Sequence, residues 1–364
     1  MAKTIGELDI GRNNNFNLMR LTAAAMVVLS HSFWLTGHEN IEPLMKLCGR
    51  LTLGSLGVKI FFAVSGYLIT KSLFKQATLG GFIKARVLRI FPALFVASVF
   101  CAFVIGPVYT TLPLSAYLSH PAVYNFTWRL ATLHNFANGL PGVFLSNPVP
   151  GNIDSPVWTL PGELLMYSCT FFAGVVMIVF KDRAQLPKAI PLLIAVVLFM
   201  WGVVPHEAGY LYNLWDWGLL FLLGGLSYIF RKWIRIYFLL WFGLITLTLV
   251  LFHIKTPLFE QMFDVTLVYG ILIAAYHPLL QLKKMREMGD ISYGLYIYAL
   301  PVQQAVILRF TGLSPIPHFF LSIIIAIPIA ALSWHFIEGP ALKLKDVKYL
   351  NGSGKGIGKY FFSR

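Results

Sequence analysis

Several residues able to do acid–base or anion-binding chemistry stand within or beside long apolar runs of this chain. The first run, Phe16 to Gly37 (FNLMRLTAAAMVVLSHSFWLTG), is long enough to cross a bilayer and carries Arg20 and His31. An ionisable group at membrane depth costs several kcal/mol unless it faces protein or water. On a helix, the step from Arg20 to His31 leaves the two roughly 20° apart around the axis and about 16 Å apart along it. Asn17 lies near the same face, about one turn before Arg20. Such a polar stripe fits a substrate pathway, with His31 deep and Arg20 nearer one end. The structural alternative is Arg20 snorkelling to lipid phosphates and His31 bonded inside a bundle.

Two more groups invite the same question. The segment FIKARVLRIFP carries Lys84, Arg86 and Arg89. Arg86 and Arg89 fall on adjacent turns of one helical face, where a pair of guanidiniums can grip phosphates bidentately. The alternative is a plain topology signal, which any inner loop would show. In DSPVWTLPGELLMY, Trp158 marks an outer interface and Glu163 lies about one to two turns below it. Pro161 and Gly162 loosen the helix start, so Glu163 can occupy a wet funnel. There it is suited to proton transfer, or to an ion pair across helices.

These residues need helices to hold them, and the composition supplies helices of one kind. The chain is 57% hydrophobic and 12% charged, with a mean hydropathy of +0.70, which excludes a soluble domain. Its net charge of +14 sits in short loops between apolar runs, so nucleic acid is not the expected partner. Cys48, Cys101 and Cys169 form no CxxC pair and are expected to pack. His120, His134 and Asp154 are too scattered to indicate a metal site, and none is expected. No cleavable signal peptide is evident, so the first run is expected to be retained as a span.

Ten spans can be drawn, at about 16–36, 52–71, 88–107, 159–180, 189–205, 212–230, 236–253, 261–281, 290–310 and 317–338. With the amino terminus inside, 22 Lys and Arg fall in inner segments. Only Lys46, Arg50, Arg129 and Lys255 fall in outer ones. That asymmetry predicts two cytoplasmic termini. The expected organisation is an all-α integral-membrane domain over 1–342 and a basic cytoplasmic tail over 343–364. The tail has the charge to meet anionic lipid. One long outer segment, 107–158, is rich in proline and aromatic residues and is expected to pack over the outer mouth, with short helices near 114–136. Lys59, Asp216, Asp264, Asp290, Arg309 and Glu338 are the remaining intramembrane charges. Asp290, at a helix start, and Glu338, pairing Arg86 or Arg89, are read as architectural; Lys59, near Gly54 and Gly57, is less readily set aside as such. The run GVKIFFAVSGYLI is expected to bring helices close together.

The ordered set of these stretches resembles acyltransferase family 3, a family of integral-membrane proteins. The motifs are Arg20-x10-His31, GVKIFFAVSGYLI in the second span and RVLRIFP before the third. VWTLPGE in the fourth, GDISYGLYIYALP in the ninth and FIEGP in the last complete the set. The match runs from about Asn13 to Lys343. No single motif is decisive, but six in order are specific.

The resemblance implies a bacterial cytoplasmic (inner) membrane enzyme. Such an enzyme moves an acyl group, commonly acetyl, from cytoplasmic acyl-CoA to a hydroxyl of an envelope polysaccharide or lipid-linked glycan. Arg20 and His31 match the family's Arg-x10-His, Arg86 and Arg89 its Arg-x-x-Arg, and Glu163 its acidic residue after the tryptophan. On that basis Arg86 and Arg89, helped by Lys84, would hold the phosphates of acetyl-CoA, with Arg20 deeper in. Neutral His31 would take the proton of the attacking hydroxyl, or would itself carry the acyl group. Glu163 would orient His31 or meet the acceptor. The chain departs from the family at Lys59, where many relatives are acidic, and at Ala299, where many have histidine nearby. No fused SGNH-type domain is expected after the last span. Two rivals remain at this stage: a transporter or flippase for a glycan or lipid, and a structural partner in polysaccharide export. Saturable binding of labelled acetyl-CoA separates the enzyme from both.

Overall fold

The computed structural model describes residues 3–11, 14–75, 78–134, 139–179, 210–277 and 289–346. Among these residues there is no β-strand, only two isolated bridges, Thr4 to Arg235 and Thr110 to Val143. The long helices are α1 (Phe16–Leu35), α2 (Leu53–Lys75), α3 (Leu79–Phe100), α4 (Leu160–Val179), α5 (Tyr210–Ile229), α6 (Phe238–His253), α7 (Leu258–Tyr276), α8 (Ser292–Arg309) and α9 (Pro315–Ser333). A π-helical turn at Cys101–Ile105 extends α3 toward Tyr109, and another at Trp334–Glu338 extends α9 toward Lys343. Among the described residues five stretches are long and apolar enough to cross a bilayer: Phe16–Leu35, Leu53–Lys75, Leu79–Tyr109, Leu258–Tyr276 and Pro315–Lys343. This is an all-α architecture of integral-membrane type. The helices overlie the expected spans, except that 189–205 and most of the basic tail lie outside the described residues.

The run GVKIFFAVSGYLI explains the tightest helix contacts. A Cβ placed on Gly66 of α2 would fall 1.9 Å from the carbonyl oxygen of Phe221 on α5. One on Gly224 of α5 would fall 2.1 Å from the carbonyl oxygen of Ala63. The two backbones therefore touch, as small residues allow where lipid gives no hydrophobic drive between helices. Gly57 does the same toward α1, where a Cβ would meet the Ala23 carbonyl at 2.6 Å. One motif thus seats α2 against two neighbours.

Helix α8 is the axis of the bundle. Its residues from Ser292 to Gln304 are all buried, and α1, α3 and α9 pack around it. A helix enclosed on every side must satisfy its polar side chains internally. The amide groups of adjacent Gln303 and Gln304 donate in opposite directions. Gln303 Nε2 donates to the Val28 carbonyl at 2.8 Å and to Ser32 Oγ at 2.9 Å, both on α1. Gln304 Nε2 donates to the carbonyls of Val149 and Asn152, and its own oxygens accept from Asn147 Nδ2. The segment 107–158 is fastened to α8 in this way. It also carries short helices Leu114–Leu118 and Pro121–Thr132, the second packed on α3, as its aromatic content led us to expect.

Glu42 closes the α1–α2 connection. Its carboxylate accepts from the backbone of Leu44 and Met45, and from Leu53 at the start of α2. At the opposite end the amino-terminal segment docks by Ile5, whose backbone donates to the Ile234 carbonyl, and by Asp9, which pairs with Lys71.

The Gly66 contact yields a test. Gly66→Ala should destabilise the chain by about 1–3 kcal/mol through overpacking against Phe221. Gly243→Ala on α6, where nothing lies within 4 Å of the added Cβ, should leave the thermal midpoint in detergent unchanged.

Candidate active site

Three buried charges and the half-buried Arg20 meet where α1, α3, α8 and α9 converge. Asp290 stands just before α8, and its Oδ1 accepts from the Ser292 hydroxyl and backbone, the favoured place for an anion at a helix start. Its Oδ2 takes both Arg20 of α1 and Arg89 of α3, the latter at 2.7 Å. Arg89 reaches on to Glu338 Oε2 at 3.5 Å, and Ser333 donates to the other oxygen of Glu338 at 3.2 Å. Two guanidiniums and two carboxylates cancel, which is what lets them be buried. The expected architectural roles of Asp290 and Glu338 are what the structure displays, with Arg89 as the partner of Glu338.

Arg86 turns away from this network. Its guanidinium lies 5.6 Å from the Tyr167 ring centre and 5.9 Å from that of Phe82, and Nη2 donates to Ser72 Oγ at 3.5 Å. No carboxylate among the described residues approaches it within salt-bridge distance, and its Nε is buried with no partner. The two arginines of RVLR therefore differ in electrostatic state. Arg89 is neutralised, whereas Arg86 retains capacity for an incoming anion. Lys84 is half-buried on the second turn of α3.

Arg20 also borders a cavity enclosing about 440 Å³ of empty space, its mouth included. Glu163, in the first turn of α4, faces the same cavity, with Ser65, Thr159, Tyr293 and Tyr296 on its walls. Glu163 Oε1 accepts from the Tyr167 hydroxyl and, at 3.5 Å, from Ser65. Tyr167 therefore links Glu163 to Arg86, whose guanidinium rests on its ring. Tyr296 donates to the Pro156 carbonyl at 2.5 Å and lies 2.7 Å from the Thr159 hydroxyl, while Tyr293 donates to the Ile90 carbonyl at 3.1 Å. Rigid tyrosines thus set the width of the cavity. A cation and a carboxylate held on one such space can orient a polar ligand and its proton.

His31 stands farther along α1, half-buried, its ring 5.9 Å from that of Trp34. It is not among the residues bordering the Arg20–Glu163 cavity and makes no hydrogen bond among the described residues. The structure thus joins Arg20 with Glu163, places Arg86 next to them through Tyr167, and leaves His31 on the other half of α1. Sequence reasoning passed over Tyr167, Tyr293 and Tyr296. The signal was available: Tyr167 is four residues after Glu163, and Tyr293 and Tyr296 are three apart, spacings that share a helix face.

Lys59 also has its explanation here. Its ammonium pairs with Asp216 at 2.5 Å and Asp264 at 3.0 Å, so an acidic residue is not missing from the region but arrives from other helices. His120 is spent as a cap, its Nδ1 accepting from the Ala122 backbone at 3.1 Å.

Fold and site together define a polytopic, all-α membrane protein whose charged side chains converge on an internal cavity. A family model described as an acyltransferase domain matches residues 13–335, and the chain belongs to this family, acyltransferase family 3. It is 30% identical over 335 residues to an "O-acetyl transferase" of Shigella phage Sf6, covering 90% of this chain and 95% of that protein. It is 28% identical over 375 residues to "Nodulation protein 10" of Rhizobium leguminosarum bv. viciae, covering 93% and 96%. No solved structure matches it.

Two outcomes follow for the site. Asp290→Ala strands Arg20 and leaves Arg89 only Glu338, and should cost about 3–5 kcal/mol, read as loss of monodisperse folded protein on size exclusion. Asp154, in the outer segment, is buried with neither carboxyl oxygen bonded, and burial pushes its carboxyl well above the usual range. The folded chain keeps that proton, so stability falls as pH rises from the ordinary carboxylate range through the raised value. Asp154→Asn should therefore raise the thermal midpoint above the carboxylate range and make no difference below it.

Proposed function

We propose that this chain is a membrane-bound O-acyltransferase that takes an acyl group, acetyl by default, from cytoplasmic acyl-CoA and places it on a hydroxyl of a cell-envelope polysaccharide or lipid-linked glycan. The observation that carries this reading is the convergence of Arg20, Glu163 and, through Tyr167, Arg86 on one cavity inside the region matched by the acyltransferase family. The name of the phage relative supports acetyl as the group and oxygen as the acceptor. The proposed setting is a bacterial inner membrane, crossed ten times with both termini inside. The excess of Lys and Arg in the inner segments supports that topology.

In this arrangement Arg86 and Lys84 meet the anionic end of the donor from the cytoplasmic side. Arg89 holds Arg20 and Asp290 in register rather than facing the phosphates. Arg20 guides the donor arm into the cavity, and the arm extends along the face of α1 toward His31. The acceptor hydroxyl oxygen attacks the thioester carbonyl carbon, the carbon–sulfur bond breaks, and the sulfur leaves as thiolate. His31 takes the hydroxyl proton and returns it to the thiolate, so no net charge is created. Glu163, bonded by Tyr167 and Ser65, orients the polar groups in the cavity. The tyrosine walls exclude water that would otherwise hydrolyse the thioester.

The test is transfer of labelled acetyl from acetyl-CoA by the protein in lipid nanodiscs, with mass spectrometry of the surface glycan from cells with and without it. Arg86→Ala should raise KM for acetyl-CoA at least tenfold with kcat little changed, as expected for lost donor binding. His31→Ala should abolish transfer while the protein stays folded. A protein that binds no acetyl-CoA, or His31→Ala with full activity, overturns the proposal in favour of a transporter or a structural partner.

A further inference from the structure

A second charged cluster lies apart from the acyl-transfer cavity. Lys59, Asp216 and Asp264 are each the seventh residue of their helices, α2, α5 and α7. They meet at one end of the bundle, with the ammonium 2.5 Å from Asp216 and 3.0 Å from Asp264. Side-chain exposure is 13% for Lys59, 9% for Asp216 and none for Asp264. One positive charge faces two negative ones. Asp264 Oδ2 is fully buried and accepts no hydrogen bond.

This arrangement is short of one positive charge. An uncompensated carboxylate in a dry interior costs several kcal/mol. Among the described residues no further cation is supplied from the packed elements. Lys59 from α2 and Asp216 from α5 are the charged groups facing Asp264. The ring of Phe263 lies 6.0 Å from the ammonium, and α6 presents Thr248 and Trp241 to α7. The helix dipoles do not make up the deficit, because their effect fades beyond the first turn. Taking a proton from Lys59 would deepen it. A proton on Asp264 Oδ2 cancels the charge and gives the orphaned oxygen a hydrogen to donate.

We propose that Lys59, Asp216 and Asp264 form a proton-binding site that holds one exchangeable proton between its two carboxyls in the folded protein, independent of the acyl-transfer chemistry. Its ligand is a hydron, not a metal or a substrate. The site joins three helices. It is one wall removed from the cavity, because Phe62, which borders the cavity, stacks at 4.9 Å on Trp217, the neighbour of Asp216. When the proton leaves at high pH, an unpaired negative charge remains in the joint, which weakens.

The experiment is infrared spectroscopy of the full chain in nanodiscs at neutral pH, in the Asp154→Asn background so that Asp154 contributes no protonated-carboxyl signal. A C=O band of a protonated carboxyl, shifted in deuterium oxide, should be present. It should lose the intensity of one group in Asp264→Asn. The linked readout is the thermal midpoint against pH. The parent should lose stability above neutrality with a slope of about one proton, and Asp264→Asn should be flat there. If Asp264→Asn does not fold, Asp216→Asn removes the same shared proton and should lose the same band. An unchanged band in the variant that folds, or a pH slope equal to that of the parent, overturns the site. Neither readout uses acetyl-CoA, so the failure of this inference is distinct from failure of the acyltransferase reading.

Discussion

The bundle depends on the neutral cluster of Arg20, Asp290, Arg89 and Glu338. Each of these charges is inadmissible alone in an apolar interior, and each is supplied by a different part of the chain. Their mutual need forces α1, α3, the start of α8 and the end of α9 to one point. Once α8 is held there at its first turn, its buried length fixes the positions of Tyr293 and Tyr296, and with them the walls of the cavity. Arg20 belongs to both the cluster and the cavity. The scaffold and the candidate chemistry are therefore connected through a single side chain.

The same economy separates the two arginines three residues apart on α3. Arg89 points into the bundle, where two acids await it. Arg86 points toward α4, where an aromatic face receives the guanidinium without neutralising it. A cation stacked on tyrosine keeps its charge and most of its donors.

Much of this was legible in the residue pattern. Helical periodicity put Arg20 and His31 on one face of α1, and hydropathy located the helices that the structure displays at both ends of the chain. Small residues in GVKIFFAVSGYLI announced close packing, and the glycines at its ends make that contact with two different neighbours. Beyond Glu338 with one arginine of RVLR, what could not be read was pairing. Asp290 is 270 residues from Arg20, and Asp264 is 205 from Lys59. Nothing local distinguishes an arginine with two distant acids from one with none, so Arg86 and Arg89 looked alike. Gln303 and Gln304 escaped notice for a related reason: an uncharged amide inside a span carries no electrostatic alarm, and its meaning lies wholly in the carbonyls it finds.

That glutamine dipeptide has a mechanical corollary. Consecutive helical residues diverge by about 100°, so one amide clasps α1 beside Ser32 while the next clasps the lid-like strip from Asn147 to Asn152. The roof of the molecule and the rod bearing the imidazole are thus hinged on the same two rungs of a central post. A displacement of the strip would be transmitted as a twist of that post to α1, the helix that carries His31.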